Sequence, residues 1–286
     1  MRVNFEEKTY ENYFNIELSS KSNVIFPLGQ VQEGFTGFDS SSYSNNRKLW
    51  RLFGYTFLFI PPFHGVDFHD ISNILENELK IYIDNLPKLK ANILFQYKRP
   101  EYLINSTAKE WPYWNQEYYR YDIYKEQHDL LIYLSDKFHK DVLILYASPA
   151  INNINNLIDA YKNKKIIELS NFKKATDLRS HKRNTYNVAG TYSLAFSEPT
   201  KIDNINLLEM INTINAEYIK DDNNTNFIIS FRNRITSLIK EYEPLSNELI
   251  FLNDMYEDIS KYNLLYSFIT MNNFTNLTGL QWLTTF

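Results

Sequence analysis

Three places in this 286-residue chain carry an acid or glutamine, then any residue, then lysine: Glu6-Glu7-Lys8, Glu78-Leu79-Lys80 and Gln96-Tyr97-Lys98. On a strand, that spacing puts an oxygen donor and an ammonium group on one face. The oxygen can ligate a divalent cation, while the ammonium can orient a water or offset charge growing on a phosphorane. Composition alone supplies about as many matches, so context has to choose among them. Glu6 precedes any recognisable element. Glu78 falls on the polar face of an amphipathic segment, where an acid near a lysine is ordinary. Only Gln96 and Lys98 close a strongly apolar run, Ala91 to Lys98, ended by Arg99-Pro100. Two polar side chains at the end of a buried strand are costly without a role.

Glutamine alone is a neutral and weak ligand for magnesium, so a carboxylate must join it. The stretch Gln32-Glu33-Gly34-Phe35-Thr36-Gly37-Phe38-Asp39 offers Glu33 at the end of a short element and Asp39 at the start of an extended one. Asp67, after Gly65-Val66 and closer to Gln96, is the rival for the role of Asp39. The same residues also fit a plainer arrangement, a strand-end Gln and Lys bonded to a neighbouring loop, with Asp39 in a turn beside Ser40.

The elements that must position these groups follow from periodicity and breakers. Leu49 to Ile60 is an aromatic, apolar strand candidate stopped by Pro61-Pro62. Asp70 to Leu86 places Ile71, Ile74, Leu75, Leu79 and Tyr82 at helical spacing before Pro87. Ala91 to Lys98 is a buried strand by length and composition. Tyr118 to Tyr124 alternates as a strand, Gln127 to Phe138 is a helix, and Asp141 to Ala147 is a further apolar strand before Ser148-Pro149. Asn153 to Asn163 is helical, Ile166 to Leu169 extended, and Thr185 to Phe196 strand-like around Gly190. This alternation predicts an α/β fold with a mixed sheet flanked by helices. Beyond Pro199 three helical segments, Ile202 to Tyr218, Phe227 to Tyr242 and Glu248 to Met271, appear without a clear strand. The expected organisation is therefore residues 1–199 as one domain and 200–286 as an acidic, all-helical region.

A Glu, then Gly-aromatic-Asp, then apolar-Gln-aromatic-Lys resembles the PD-(D/E)XK, or restriction-endonuclease-like, nuclease superfamily in its Gln-x-Lys form. Phe95-Gln-Tyr-Lys-Arg-Pro100, Tyr118-Tyr-Arg120, Gln127-His-Asp-Leu-Leu131 and Tyr146-Ala-Ser-Pro-Ala150 are similar to segments of bacterial proteins of this type associated with phage defence and restriction. The resemblance implies a restriction-endonuclease-like core and a nuclease with Mg2+ or Mn2+ as cofactor. Asp39, Gln96 and Glu33 would be its metal ligands, the carbonyl of Tyr97 a further one, Lys98 the catalytic lysine and Gln127 a supporting polar residue. The spacing from Asp39 to Gln96 is longer than the family's usual hairpin, which keeps Asp67 in play. A subunit that keeps this fold but only binds or senses nucleic acid is the alternative.

Charge and composition bound the partners. The chain holds 30 Lys+Arg against 34 Asp+Glu, and from residue 200 onward 6 against 11. The acidity thus belongs to the second part, leaving the first near neutral with a basic run that contains Lys173, Lys174, Arg179, Lys182 and Arg183. Such a run can contact phosphates of a nucleic acid, DNA favoured, or simply form a solvated lysine-rich loop. Trp111-Pro-Tyr-Trp114 and Tyr118 to Tyr121 could stack on unpaired bases, or pack as ordinary core and rim in a chain that is 16% aromatic. With 0 Cys, disulfides, thiolate metal sites and cysteine nucleophiles are excluded. No apolar run has the length of a membrane span, and the first residues are acidic where a signal peptide is apolar, so a cytoplasmic protein is expected. The acidic helices are candidates for contact with a second copy or a partner subunit.

Overall fold

The computed structural model describes residues 3–22, 24–25, 68–214 and 223–286. Glu33, Asp39, Asp67 and the strand expected over Leu49 to Ile60 lie outside them. The chain divides into two compact units: residues 1–25, 90–218 and 280–286 make the first, and 26–89 with 219–279 the second.

In the first unit, helix α1 (Glu7–Lys21) and the short strand β1 (Val24–Ile25) are followed, after the second-unit helix α2 (Phe68–Asp84), by β2 (Ala91–Tyr97) and β3 (Glu101–Leu103). Then come α3 (Trp111–Trp114), β4 (Tyr118–Asp122), α4 (Lys125–Phe138), β5 (Val142–Pro149), α5 (Ile154–Lys162) and β6 (Ser170–Lys174). Strands β7 (Arg183–Tyr186), β8 (Ser193–Phe196) and β9 (Thr200–Ile202) precede α6 (Leu207–Thr213). In the second unit α7 (Asn224–Lys240), α8 (Glu243–Asp254) and α9 (Asn263–Thr278) follow, and the chain returns to the first as β10 (Gln281–Thr285).

Among the described residues the strands form two five-stranded sheets. One is mixed, in the order β1-β10-β2-β5-β6, with β2 and β5 parallel and the other neighbours antiparallel. The second, β3-β4-β7-β8-β9, is antiparallel throughout. All seven residues of β2 and all eight of β5 are buried, which explains why both read as continuous apolar runs rather than alternating ones. The expected α/β class with a mixed sheet and flanking helices is what the structure shows.

Several expectations need correction. The region beyond residue 200 is not all helical: β9 opens it and β10 closes it. A boundary between 199 and 200 does not coincide with the compact units, because residues 200–214 and 280–286 belong with the first and 68–89 with the second. Ile166 to Leu169 forms turns and the strand follows at Ser170. Thr185 to Phe196 is two strands reversed around Gly190, whose φ of 76° suits glycine. Glu248 to Met271 is two helices split by a 3-10 turn at Glu257–Ile259.

The second unit, described by itself, is helical. Asn224, at the start of α7, holds the end of α2 through Nδ2 bonds to the carbonyls of Ile83 (2.9 Å), Leu86 (3.0 Å) and Pro87 (3.1 Å), while its Oδ1 accepts from Leu89 N at 2.9 Å. Glu76 accepts from the first amides of α9, Leu264 N at 3.2 Å and Leu265 N at 2.8 Å, where a carboxylate offsets the unpaired N–H groups of a helix start. Among the described residues no helix is long and apolar enough to cross a membrane.

Candidate active site

Strand β2 is buried on both faces, so each of its polar side chains needs a partner inside the protein. Phe95 and Tyr97 face α1: their rings stack at 5.7 Å, Phe14 of α1 lies 5.5 Å from each, and Tyr97 OH donates to Asn15 Oδ1 at 2.5 Å. Gln96 and Lys98 face α4 instead. Lys98 Nζ donates to Gln127 Oε1 at 2.7 Å, Gln127 Nε2 donates to Gln96 Oε1 at 2.5 Å, and Gln96 Nε2 donates to the Tyr97 carbonyl at 3.1 Å. The four groups form a chain of donors running one way, so each amide is fixed in orientation by its neighbours.

Lys98 lies where the parallel pair β2 and β5 ends, the edge of an α/β sheet that commonly carries a site. Its backbone is fixed on both sides: its N donates to Ala147 O at 2.9 Å, and Ser148 Oγ donates to its carbonyl at 3.0 Å. Tyr186 OH in turn donates to Ser148 Oγ at 2.7 Å. Lys98 is 6% exposed, with its ammonium 5.2 Å from the ring centre of Tyr124 and 5.7 Å from that of Tyr146. Burial lowers its pKa to about 8, and the carboxylate of Glu7 works against that shift. His128, next to Gln127, meets Tyr146 OH through Nδ1 at 3.0 Å, and burial lowers its pKa, favouring the neutral imidazole.

Glu7 is the residue the sequence did not point to. It opens α1, burial raises its carboxyl, the Lys98 ammonium pulls it back, and its Oε2 accepts from Arg99 N at 3.0 Å. The signal for α1 was present: Tyr10, Phe14 and Leu18 recur every four residues and are buried. Buried Glu11, Asn15 and Glu17 dilute that stripe and hide it.

The structure thus brings Gln96, Lys98 and Gln127 together. Glu33 and Asp39 lie outside the described residues, as does Asp67. Glu78 and Lys80 are exposed on α2. The basic run comes apart. Lys173 is a correction: it is 0% exposed and its Nζ donates to Asp203 O at 3.0 Å, so its ammonium faces the interior and not a nucleic acid, and burial lowers its pKa to about 7. Arg183 pairs with Asp122 at 2.6 Å and with Glu110 at 2.7 Å, and Arg179 with Asp136 at 2.6 Å. Lys174, Arg179 and Lys182 are exposed.

No protein-family model, curated protein or solved structure matches this chain. Among the described residues no three His, Asp or Glu side chains gather closely enough to hold a metal ion. Near Lys98 the donors are the amide oxygen of Gln96, the Tyr97 carbonyl and the Glu7 carboxylate. All are hard oxygen donors, which fit Mg2+ or Mn2+ in kind, but they fall short of six ligands and need further carboxylates.

Proposed function

We propose that this protein is a metal-dependent nuclease with a restriction-endonuclease-like core, hydrolysing phosphodiester bonds of nucleic acid, DNA favoured, in bacterial antiviral defence. The observation that carries this reading is Lys98: a buried lysine at the end of a parallel strand pair, aimed by Gln127 and sharing its strand face with Gln96. Burial penalises its charge as it does that of Lys173, but of the two only Lys98 stands beside Gln96 and Gln127 at the end of the parallel pair.

Gln96, with Asp39 or Asp67 and Glu33, would hold the ion. Bound there, Mg2+ or Mn2+ would supply Lewis-acid polarisation of the phosphate. The chain's own contribution is electrostatic. At neutral pH Lys98 remains mostly protonated, and in a water-poor setting its ammonium stabilises charge building on phosphate oxygens more strongly than a solvated one would. Gln127 fixes where that ammonium points, and Glu7 favours its charged form. Exposed Lys174, Arg179 and Lys182 are candidates for backbone contact. The cytoplasm as setting, and a second copy or partner on the helical unit, belong to the same proposal.

One feature favours the alternative, a subunit that binds or senses nucleic acid without cutting. Gln96 supplies a neutral oxygen that already accepts from Gln127, which weakens it as a ligand. A panel of duplex DNA, single-stranded DNA and RNA, each with Mg2+, Mn2+ or chelator, separates the two. Metal-dependent cleavage that Lys98→Ala abolishes without unfolding supports the nuclease. Metal-independent binding by a folded protein that cuts none of them supports the alternative.

A further inference from the structure

On the antiparallel sheet, Tyr102 of β3, Tyr119 of β4 and Tyr186 of β7 stand in register, one per strand. Their rings are 4.9 Å and 5.6 Å apart, a ladder that is fully buried at Tyr186 and reaches solvent at Tyr102. At its outer end lies an open cleft of about 340 Å3 lined by Tyr102, Trp111, Gln116, Glu117, Tyr119 and Asn187. The lining is three aromatic rings, two amides and one carboxylate, and none of the six is Lys or Arg. Glu117 is exposed and accepts from Tyr102 OH, which ties the carboxylate to the rim of the ladder.

We infer that this cleft binds a guanine base. Rings ending a stack offer a face for a flat ligand, and base–aromatic stacking is the common means of holding an unpaired base. Among the described lining residues the one charged group is the Glu117 carboxylate, which repels a phosphate and prefers a neutral group rich in N–H donors. Guanine presents two adjacent donors, N1–H and N2–H, on its Watson–Crick edge. A carboxylate has lone pairs to accept both besides the Tyr102 hydroxyl. Adenine and cytosine would turn a ring nitrogen lone pair toward Glu117, and uracil would flank its one N–H with carbonyls. Gln116 and Asn187 can serve either the carbonyl O6 or the remaining donors.

The position deepens the nuclease reading and, in this respect only, rests on it. Tyr102 follows Lys98 by four residues, so their Cα atoms are at most about 14 Å apart. With about 6 Å of side-chain reach added at each end and about 3.4 Å per stacked nucleotide, a guanine in the cleft would lie within about eight nucleotides of a bond cut beside Lys98. Cleavage would then favour sites with a guanine at that offset.

The test is titration of the full-length protein with GMP, IMP, AMP, CMP, UMP and methyl glucoside, read by calorimetry and by quenching of tryptophan emission, since Trp111 lines the cleft. GMP should bind at least about tenfold more tightly than AMP, CMP or UMP, and IMP, which lacks the 2-amino group, should fall between them. Glu117→Gln should remove about tenfold of the GMP affinity, weaken IMP by less, and leave AMP, CMP and UMP nearly unchanged, and Tyr102→Ala should weaken all of them. Equal binding of the four bases, tighter binding of the glucoside, no saturable signal, or an unaltered GMP affinity in Glu117→Gln each overturns the inference. GMP selectivity in a protein that cuts nothing would leave the cleft standing and remove the nuclease, whereas cutting without any nucleotide selectivity would do the reverse.

Discussion

Lys98 and Lys173 both lie inside the protein, and burial lowers the pKa of each, to about 8 and about 7. An unfolded lysine titrates at about 10.4, so between about pH 7 and 10 these two side chains bind more protons in the unfolded chain than in the native one, and their contribution to stability rises with pH across that window. Lys173→Met removes one contributor. The variant should be more stable than wild type at pH 6, where Lys173 carries a buried charge, and its advantage should shrink by pH 9.5; urea unfolding at the two pH values measures this, and a constant difference would count against it. Gln127 acts through Lys98. Gln127→Ala removes the acceptor that aims the ammonium and should cut nuclease activity about 10- to 100-fold, with the pH profile moving as Lys98 loses its partner. Gln127→Glu restores an acceptor and should shift that profile upward, because a carboxylate raises the lysine's pKa, an effect that initial rates from pH 6 to 9 would reveal.

At the level of elements, legibility followed burial. β2, α4 and β5 were plain in the sequence because each is either apolar throughout or has a clean apolar stripe; the breaker at Pro100 follows the end of β2, while β5 runs past the expected stop at Ala147 and pairs with β6 through Pro149. Gln96 and Lys98 stood out for the same reason, as polar groups ending an apolar run. What the sequence obscured were elements whose buried residues are polar. α1 buries Glu17, whose carboxylate accepts from Ile166 N at 2.7 Å and Ile167 N at 3.3 Å and from Lys21 Nζ at 2.7 Å. A glutamate with that work looks like surface charge in a one-dimensional reading, and it hid both the helix and Glu7 at its start. The apparent phosphate-binding run failed for the converse reason: β6 is buried on both faces from Ser170 to Lys173, so Lys173 lies inside although it alternates with buried Phe172, and only Lys174 reaches solvent. Glu17→Ala leaves two buried amides unpaired and should cost about 2 kcal/mol, seen as a lower midpoint in urea at unchanged slope.

For the whole molecule, the largest departure from the sequence pattern is β10. Five residues after the last helix, Gln281 to Thr285, enter the mixed sheet between β1 and β2, in register with Phe95 to Ala91 of the site-bearing strand. Long-range pairing of this kind leaves no local trace beyond a short apolar run. Ending the chain after Gly279 would expose the edge of β2, a buried strand with no means of protecting an edge. The shortened protein should aggregate or lose its cooperative transition, and a soluble protein with wild-type melting behaviour would show that β10 is dispensable. The central claim, that Lys98 makes this fold a nuclease, is tested most directly by incubating plasmid and single-stranded DNA with Mg2+ and either wild type or Lys98→Met, with circular dichroism confirming that both are folded. Cleavage by wild type that falls about 100- to 1000-fold in the variant is expected, and equal cleavage by the two, or none by a folded wild type with either Mg2+ or Mn2+, would contradict it.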